Sequence, residues 1–259
     1  MASLLSPSML DSTLTLADYL GVAATAFLAS LIGGISGYGT GLLLPPILIP
    51  MIGPEAVVPV VSLSALITNA SRVAAFRHQF DRNRALWVVT FALPFCLFGA
   101  YGYTRLSGPM ISVVLGLFLI AVVPLRPLLV RRHGHLGKPG LALGAGGYGL
   151  LMGGTSGSGV VLISLLLSAG LSGASVIATD AGISFVLGIA KVSLFQAAGA
   201  LPPALWLMAL LIGACAVPGT FLAKRLSRRL SLRSHSLILD SVVVLGGILL
   251  VIEGGSALL

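Results

Sequence analysis

The sequence predicts an all-α polytopic membrane protein built from two inverted-topology repeats, each a glycine-broken helical hairpin followed by three transmembrane helices. Three observations predict this fold. The chain of 259 residues is 57% apolar and only 8% charged, with a mean hydropathy of +1.08. That is more apolar surface than a globule of this size can bury, so the bilayer must solvate it. The apolar residues form eight runs, and a glycine-serine pattern recurs 120 residues apart.

The lengths of the eight apolar runs set the number of spans. The first and fifth runs, 17–52 and 140–170, would measure about 54 and about 46 Å as straight helices, well beyond a hydrocarbon core of about 30 Å. Each of them therefore contains a turn. The other six have the length of single spans and cover residues 56–77, 85–104, 108–130, 174–197, 203–223 and 236–252. We expect six spans plus two helical hairpins.

The two halves of the chain repeat each other. "GGISGYG" at 33–39 matches "GGTSGSG" at 153–159, and Arg72 matches Lys191 at nearly the same shift. Identities in one order at a constant shift indicate duplication. The expected domains are an extracytoplasmic tail at 1–16, repeat one at 17–130, a basic cytoplasmic linker at 131–139, repeat two at 140–252 and a C-terminal tail at 253–259.

Loop charges distinguish parallel from inverted repeats. If each long run crosses the membrane once, the basic residues of the loops divide six against six. If each long run turns back at its glycines, they divide eleven against one, and only Arg105 stands on the minority face. The positive-inside rule favours the second arrangement. It predicts cytoplasmic basic loops, both termini outside the inner membrane, and halves of opposite orientation, as in many secondary transporters.

The glycine breaks predict an anion site near the midplane. Backbone that leaves helical geometry inside a membrane must line a cavity or be buried in protein. Half-helices that start after such breaks point free N–H groups and positive dipole ends inward, and hydroxyls add donors. The alternative is that the small residues only let helices pack closely. The candidate binding residues are Gly34, Ser36, Gly37, Gly39, Thr40, Gly154, Thr155, Ser156, Gly157 and Gly159.

Charged residues within the spans are further candidates, because ions are rare in hydrocarbon unless they have a function. Arg72 and Lys191 occupy equivalent repeat positions and are expected to converge on one anion. The alternative is that each snorkels to the headgroups. Asn69, three residues before Arg72, is placed to orient it. Asp180 lies deeper and is the candidate for a coupling proton, or it pairs with a basic side chain.

The sequence resembles the sulfite exporter TauE/SafE family of membrane transporters over about residues 17–252. The resemblance rests on the glycine break of each half, on Pro45 and Pro46 after the first break, and on the segments "AFRHQFDRNRALW" and "GAYGYTRLSG". It implies a secondary transporter that exports a small oxyanion, sulfite or an organosulfonate, by alternating access.

Two rival functions stay open at this point. A passive anion channel would use the same donors. An intramembrane serine protease is suggested by GxSG, but no histidine lies deep in a span to act as its base. Cys96 and Cys215 lack metal-ligand spacing, and we expect no metal and no cofactor. The expected partners are the small anion and the lipid bilayer. Nucleic acid is not expected, because the basic residues cluster in loops between the apolar runs. A homodimer is left open.

Overall fold

The computed structural model describes residues 16–36, 40–131, 137–226 and 232–258, and every regular element in these ranges is helical. The first half contains six α-helices, and the second contains five. Those of the first half are α1 Leu16–Ser36, α2 Thr40–Leu43, α3 Pro45–Ile52, α4 Pro54–Phe76, α5 Arg82–Tyr103 and α6 Gly108–Arg131. Those of the second are α7 Lys138–Gly154, α8 Gly159–Ser168, α9 Ala174–Ala197, α10 Trp206–Leu226 and α11 Leu232–Ser256.

The fifth apolar run is broken at its glycines, between the end of α7 at Gly154 and the start of α8 at Gly159. This break needs glycine, because Gly157 has a φ of +89°, which residues with a Cβ rarely adopt. The turn that the run length predicts is therefore present in the second half. In the first half, the predicted turn falls on Gly37 and Gly39, which lie outside the described residues.

The two return segments are not alike. α8 runs unbroken for ten residues, whereas the return segment of the first half is divided at Leu44 into the four-residue α2 and the eight-residue α3. Pro45 and Pro46 follow Leu44, and neither can donate a helical hydrogen bond. The expected matched pair of half-helices is therefore only partly present, since α2 is a single turn with little dipole.

Four described helices are long and apolar enough to cross a membrane by length and composition. They cover Pro54–Gln79, Arg82–Tyr103, Gly108–Leu125 and Ala174–Ala197. Shorter apolar stretches lie at Tyr19–Leu31, Gly159–Ser168, Pro203–Gly219 and Val243–Ser256. Large apolar side chains such as Leu143, 80% exposed, lie on the outer surface, as expected where lipid is the solvent. The chain is thus an all-helical membrane protein, and the count of six spans stays a prediction.

Equivalent helices of the two halves pack antiparallel in pairs. In the pair of α4 and α9, Arg72 lies beside Asp180 and Leu66 lies beside Gly188. α6 and α11 also pack antiparallel, because Gly254 lies against Pro109 and Gly247 lies against Gly116. Inverted repeats require opposite directions for equivalent helices, so these contacts support that layout. The layout, the domain boundaries and the sidedness stay predictions.

Buried hydroxyl groups mostly bond within their own helices. The side chains of Ser62, Ser64 and Ser164 donate to the carbonyl groups of Val58, Val61 and Val160. Such bonds satisfy a polar group in an apolar environment without a partner helix. Three buried polar side chains near the second break do not follow this pattern: Ser156, Asp180 and Lys191.

Candidate functional site

A cavity of about 330 Å³ lies between α4, α9 and the second glycine break. α4 and α9 supply its long walls, and the break between α7 and α8 supplies the third side. Its polar and charged lining includes Asn69, Arg72, Thr155, Ser156, Ser158, Asp180, Ser184 and Lys191, together with Tyr148. Six of the residues that the sequence singles out, Asn69, Arg72, Thr155, Ser156, Asp180 and Lys191, therefore line one space, as do Gly157 and Gly159.

Arg72 and Asp180 form an ion pair across the interface of α4 and α9. The Arg72 Nη1 atom lies 3.5 Å from the Asp180 Oδ2 atom. The Arg72 side chain keeps 30% of its surface exposed, whereas the Asp180 side chain keeps only 4%. The second carboxylate oxygen, Oδ1, has no hydrogen-bond partner among the described residues. Asp180 thus occupies one side of the guanidinium and leaves donors of Arg72 toward the cavity.

Lys191 is buried and holds the end of α7. Its Nζ atom donates to the carbonyl oxygens of Met152 at 2.6 Å and Thr155 at 2.8 Å, and it lies 5.5 Å from the centre of the Phe195 ring. The residue is 2% exposed, so it does not snorkel to the headgroups. An ammonium at a helix C-terminus also neutralises the negative end of the helix dipole.

The two cations have separate partners in this structure. Asp180, the partner of Arg72, precedes Lys191 by three helical turns of α9, or about 16 Å along its axis. Lys191 is bonded instead to carbonyl groups at the second break. The convergence of both side chains on one anion stays a prediction, and Arg72 is the cation with donors left for a ligand.

The second break presents a hydroxyl and helix amides to the cavity. The Thr155 hydroxyl donates to the carbonyl of Leu151 at 2.6 Å, so its proton is already used. Ser156 is 6% exposed, and its Oγ atom has no hydrogen-bond partner within the described ranges. α8 begins three residues later at Gly159, and the first amides of a helix lack internal acceptors. Ser156 is therefore the free hydroxyl of the predicted pair Thr155 and Ser156.

The first break is described only at its edges. Gly37 and Gly39 lie outside the described residues, and the predicted roles of Gly34, Ser36 and Thr40 concern positions whose surroundings the structure does not describe. The next residue, Gly41 in α2, lies against the second break. A Cβ added at Gly41 would come within 2.7 Å of the Gly157 amide nitrogen. α2 therefore meets the second break, backbone against backbone, beside the cavity.

The charges of the cavity favour an anion. Among the described lining residues, Arg72 and Lys191 are cationic and Asp180 is the single carboxylate, so the lining has an excess of one positive charge when all three are ionised. The amides that open α8 add further positive potential. In the described ranges no cluster of His, Cys, Asp and Glu is suited to hold a metal ion.

The family comparison agrees with this chemistry. The family model described as Sulfite exporter TauE/SafE matches residues 22–250, which is most of the chain and includes both breaks and the whole cavity. The chain belongs to the sulfite exporter TauE/SafE family. No curated protein and no solved structure gave a significant match.

Members of the TauE/SafE family are transporters, and membership implies that the chain transports a small anion across a membrane. The apolar helices independently indicate a membrane protein. The family description agrees with a cavity that carries excess positive charge and unused donors. The sequence prediction of the family is confirmed, as is that of an all-helical membrane protein, while the layout of the repeats stays a prediction.

Tyr148 and Ser184 are among the cavity residues of this TauE/SafE protein that were not predicted from the sequence. The Tyr148 hydroxyl lies 3.3 Å from the Ser184 hydroxyl and donates to the Met152 sulfur at 3.0 Å, which links α7 to α9. Ser184 could have been found, because it lies four residues after Asp180 and seven before Lys191 and so shares their helix face. Tyr148 has no comparable signal, since its contact depends on how α7 packs.

Proposed function

We propose that this TauE/SafE protein is a secondary transporter that exports a small oxyanion, sulfite or an organosulfonate, by alternating access around the cavity at the second glycine break. The anion would accept hydrogen bonds from Arg72, Ser156 and the first amides of α8, and Asn69 would position Arg72 or donate directly. The family supports anion transport, and the lining residues support the position of the site.

The observation that carries this proposal is the buried Ser156 hydroxyl, which has no hydrogen-bond partner in the described part of the chain. Leaving a buried hydroxyl unsatisfied costs about 1–3 kcal/mol, and the neighbouring serines on α4 and α8 avoid that cost by bonding to their own helices. A donor that stays unused beside a helix N-terminus and a guanidinium is explained if an oxyanion accepts from it. Packing alone gives no reason for the free hydroxyl.

Asp180 gives the site a means of release. Its carboxylate and a bound oxyanion would compete for the Arg72 guanidinium, because the ion pair occupies part of the same donor set. An anion that arrives would take the donors of Arg72 that Asp180 leaves, and a closer approach of Asp180 to the guanidinium would help to expel it. A proton on Asp180 would favour the bound anion, so the predicted coupling role of this residue is compatible with the pair.

Alternating access follows if the halves are inverted, because rocking one half against the other then exposes a fixed site to each side in turn. The antiparallel pairs α4–α9 and α6–α11 support this arrangement. With the basic loops in the cytoplasm and both termini outside, the cavity would open alternately to the two faces of the inner membrane.

The two rival functions have less support. A serine protease needs a base within reach of its nucleophile, but no histidine of the described ranges lines the cavity, and the Lys191 amine is bonded to two carbonyl groups. A passive channel would share the donors of the site. Counterflow separates it from a carrier, since only a carrier exchanges labelled for unlabelled anion against the net gradient.

A binding screen of the purified protein tests the proposed substrate class. Sulfite and methanesulfonate are expected to bind, and acetate is expected to bind more weakly, because its planar carboxylate offers two acceptor oxygens instead of three. Counterflow of labelled sulfite in proteoliposomes then tests the carrier mechanism. Absence of binding by every sulfur oxyanion in the screen would refute the proposal.

A further inference from the structure

The broken end of α7 forms a pair of carbonyl acceptors. The last carbonyl groups of a helix have no intrahelical donor, and here the oxygens of Met152 and Thr155 both face the Lys191 ammonium. In secondary transporters with interrupted helices, carbonyls at such half-helix ends hold the coupling sodium ion or proton. Lys191 brings a positive charge to that position from α9.

We propose that the carbonyl end of α7 is a cation site whose resident cation is the Lys191 ammonium, so that the proton on this amine takes the coupling role of a sodium ion. The proposal rests on the proposed transport function. In this proposal Lys191, and not Asp180, carries the coupling proton. Lys191 binds the backbone carbonyls of the second break and does not bind the anion.

Loss of the Lys191 proton would weaken the hydrogen bonds between this amine and the carbonyls at the second break. The proton passes to water in the cavity, and the neutral amine keeps two N–H donors without the charge. Charge-assisted hydrogen bonds are roughly twice as strong as neutral ones, and the attraction to the negative end of α7 disappears with the charge. The carbonyl of Thr155 would then be free to turn away from α9.

The second break connects the deprotonation of Lys191 to the anion site. Thr155, whose carbonyl Lys191 holds, directly precedes Ser156 with its free hydroxyl. Protonated Lys191 therefore fixes the backbone that presents Ser156 and the α8 amides to the cavity. Binding of the anion and binding of the proton favour each other, and linkage makes this effect reciprocal. The anion and the proton are expected to travel together.

Few other ionisable groups of the described helices face this amine. α9 contributes Asp180, and Arg72 of α4 is its ion-pair partner. α8 has no ionisable side chain. The other groups from elements packed on α9 are Cys96 of α5, Tyr103 of α5, whose ring packs on Phe195, Tyr148 of α7, and the exposed Arg77 and His78 of the turn after α4. Glu55 of α4 and Arg82 and Arg84 of α5 stand at the ends of their helices. Asp180 is thus the rival carrier of the proton.

The pH dependence of sulfite flux in proteoliposomes distinguishes Lys191 from Asp180. Lys191→Arg keeps a cation on the two carbonyls that does not lose its proton, whereas Asp180→Asn removes the rival titrating group and serves as the matched control. Each flux is divided by the wild-type flux at the same pH, so the protonation of sulfite itself cancels. If the wild type loses flux in alkali because Lys191 loses its proton, the normalised flux of Lys191→Arg rises toward alkaline pH, and the normalised flux of Asp180→Asn stays level. A normalised Lys191→Arg flux that stays level across the pH range overturns the proposal.

A second experiment does not depend on transport. Lys191→Met leaves the two carbonyls without a cation, so sodium chloride, compared with choline chloride, is expected to raise its Tm by about 4 °C. The wild type and Leu194→Met, a change on the same helix, should not respond. A folded Lys191→Met that ignores sodium contradicts the cation site. If the wild type binds no sulfite, the proposed function is refuted. The sodium response of Lys191→Met tests the cation site in either case.

Discussion

Ser156 and Ser164 stand eight residues apart and are equally enclosed, but they differ in bonding. Ser164 donates to the carbonyl of Val160 at 2.9 Å, whereas the Ser156 hydroxyl has no partner among the described residues. An unsatisfied buried hydroxyl lowers stability. We infer that a bound oxyanion removes this cost by accepting a hydrogen bond from the Ser156 hydroxyl.

Ser156→Ala is expected to lower the affinity for sulfite by about tenfold, because one donor to the anion is lost. Its Tm should not fall, since no described residue bonds to the hydroxyl. Titration calorimetry and a thermal melt measure both quantities. Ser164→Ala, the matched control on α8, should keep the affinity. Equal sulfite affinities for wild type and Ser156→Ala would assign the serine to packing.

At the residue scale, the sequence pattern selected side chains that the structure places around one cavity. A glycine-serine break and a cation within an apolar run can be recognised without a structure, and Ser156 and Lys191, selected in this way, both line the cavity; their roles in binding stay predictions. The partners of these side chains were not predictable. The register of α9 against α4 and α7 decides that Arg72 pairs with Asp180 while Lys191 reaches the carbonyls of α7, and no local signal encodes that register.

At the scale of elements, glycines let α5 and α7 pack backbone against backbone. Gly149 lies on Ala92, and Gly153 lies on Cys96 and Ala100, so the two helices run in the same direction in close contact. Small residues are the usual means of close approach between helices in membranes. This packing fixes the end of α7, and with it the second break.

Gly149→Ala is expected to destabilise the protein by about 2 kcal/mol, because the added methyl group would overlap the backbone of Ala92. Gly147→Ala, two residues earlier on α7, has open space around it and should be neutral or stabilising by up to about 1 kcal/mol. Thermal unfolding of both variants in detergent measures the difference. Similar Tm values for the two variants would contradict the close packing of α5 on α7.

The N-terminus of α5 carries a separate stabilising contact outside the spans. Asp81 accepts from the Arg84 backbone amide at 2.9 Å and from the Arg84 guanidinium at 2.8 Å. The amide hydrogen bond first, and then the guanidinium, hold the pKa of Asp81 below its usual range. Because the pKa is lowered in the folded protein, this contribution is present above the unfolded carboxyl pKa of about 3.9 and is lost as pH falls through the folded value.

Asp81→Ala should therefore lower stability by about 1 kcal/mol at neutral pH, and the difference from wild type should shrink in acid. Asp81→Asn is the control, because the amide oxygen still caps α5 without a charge to titrate. Chemical unfolding as a function of pH measures the effect. A deficit of Asp81→Ala that stays constant into acid would show that the carboxylate does not stabilise α5 in this way.

Element-scale prediction from run length identified the second break, whereas the glycines of the first lie outside the described residues, and the form of the first return segment was not predicted. Pro45 and Pro46 signalled an irregular segment, and the division at Leu44 into α2 and α3 agrees with them. The sequence symmetry suggested two equal half-helices, yet α2 is a single turn. Duplicated glycines specify where a helix stops, while the residues that follow decide how the chain continues.

For the whole molecule, the antiparallel packing of α4 on α9 and of α6 on α11 supports inverted halves. Hydropathy alone could not distinguish the two layouts, because eight apolar runs allow parallel or inverted repeats. Loop charges favoured inversion before any contact was known, and the helix directions agree with them. Sidedness depends on the charge argument alone.

Thiol labelling tests the inverted layout directly. With Cys96 and Cys215 replaced by alanine, single cysteines at Gln79 and Ala198 occupy equivalent exposed positions after α4 and α9. We expect a membrane-impermeant reagent to label Ala198→Cys from outside intact cells and Gln79→Cys only after the membrane is opened. Labelling of both positions from the same side would mean that the halves are parallel.

Sulfite flux through Arg72→Gln proteoliposomes tests the central claim, that a small oxyanion crosses the membrane through the cavity at the second break. Arg72 is the cation with donors left for the anion, so the account predicts saturable sulfite flux in the wild type and a loss of about tenfold or more in the variant. Arg105→Gln, outside the cavity, should transport normally. Flux of Arg72→Gln equal to that of the wild type would contradict the account.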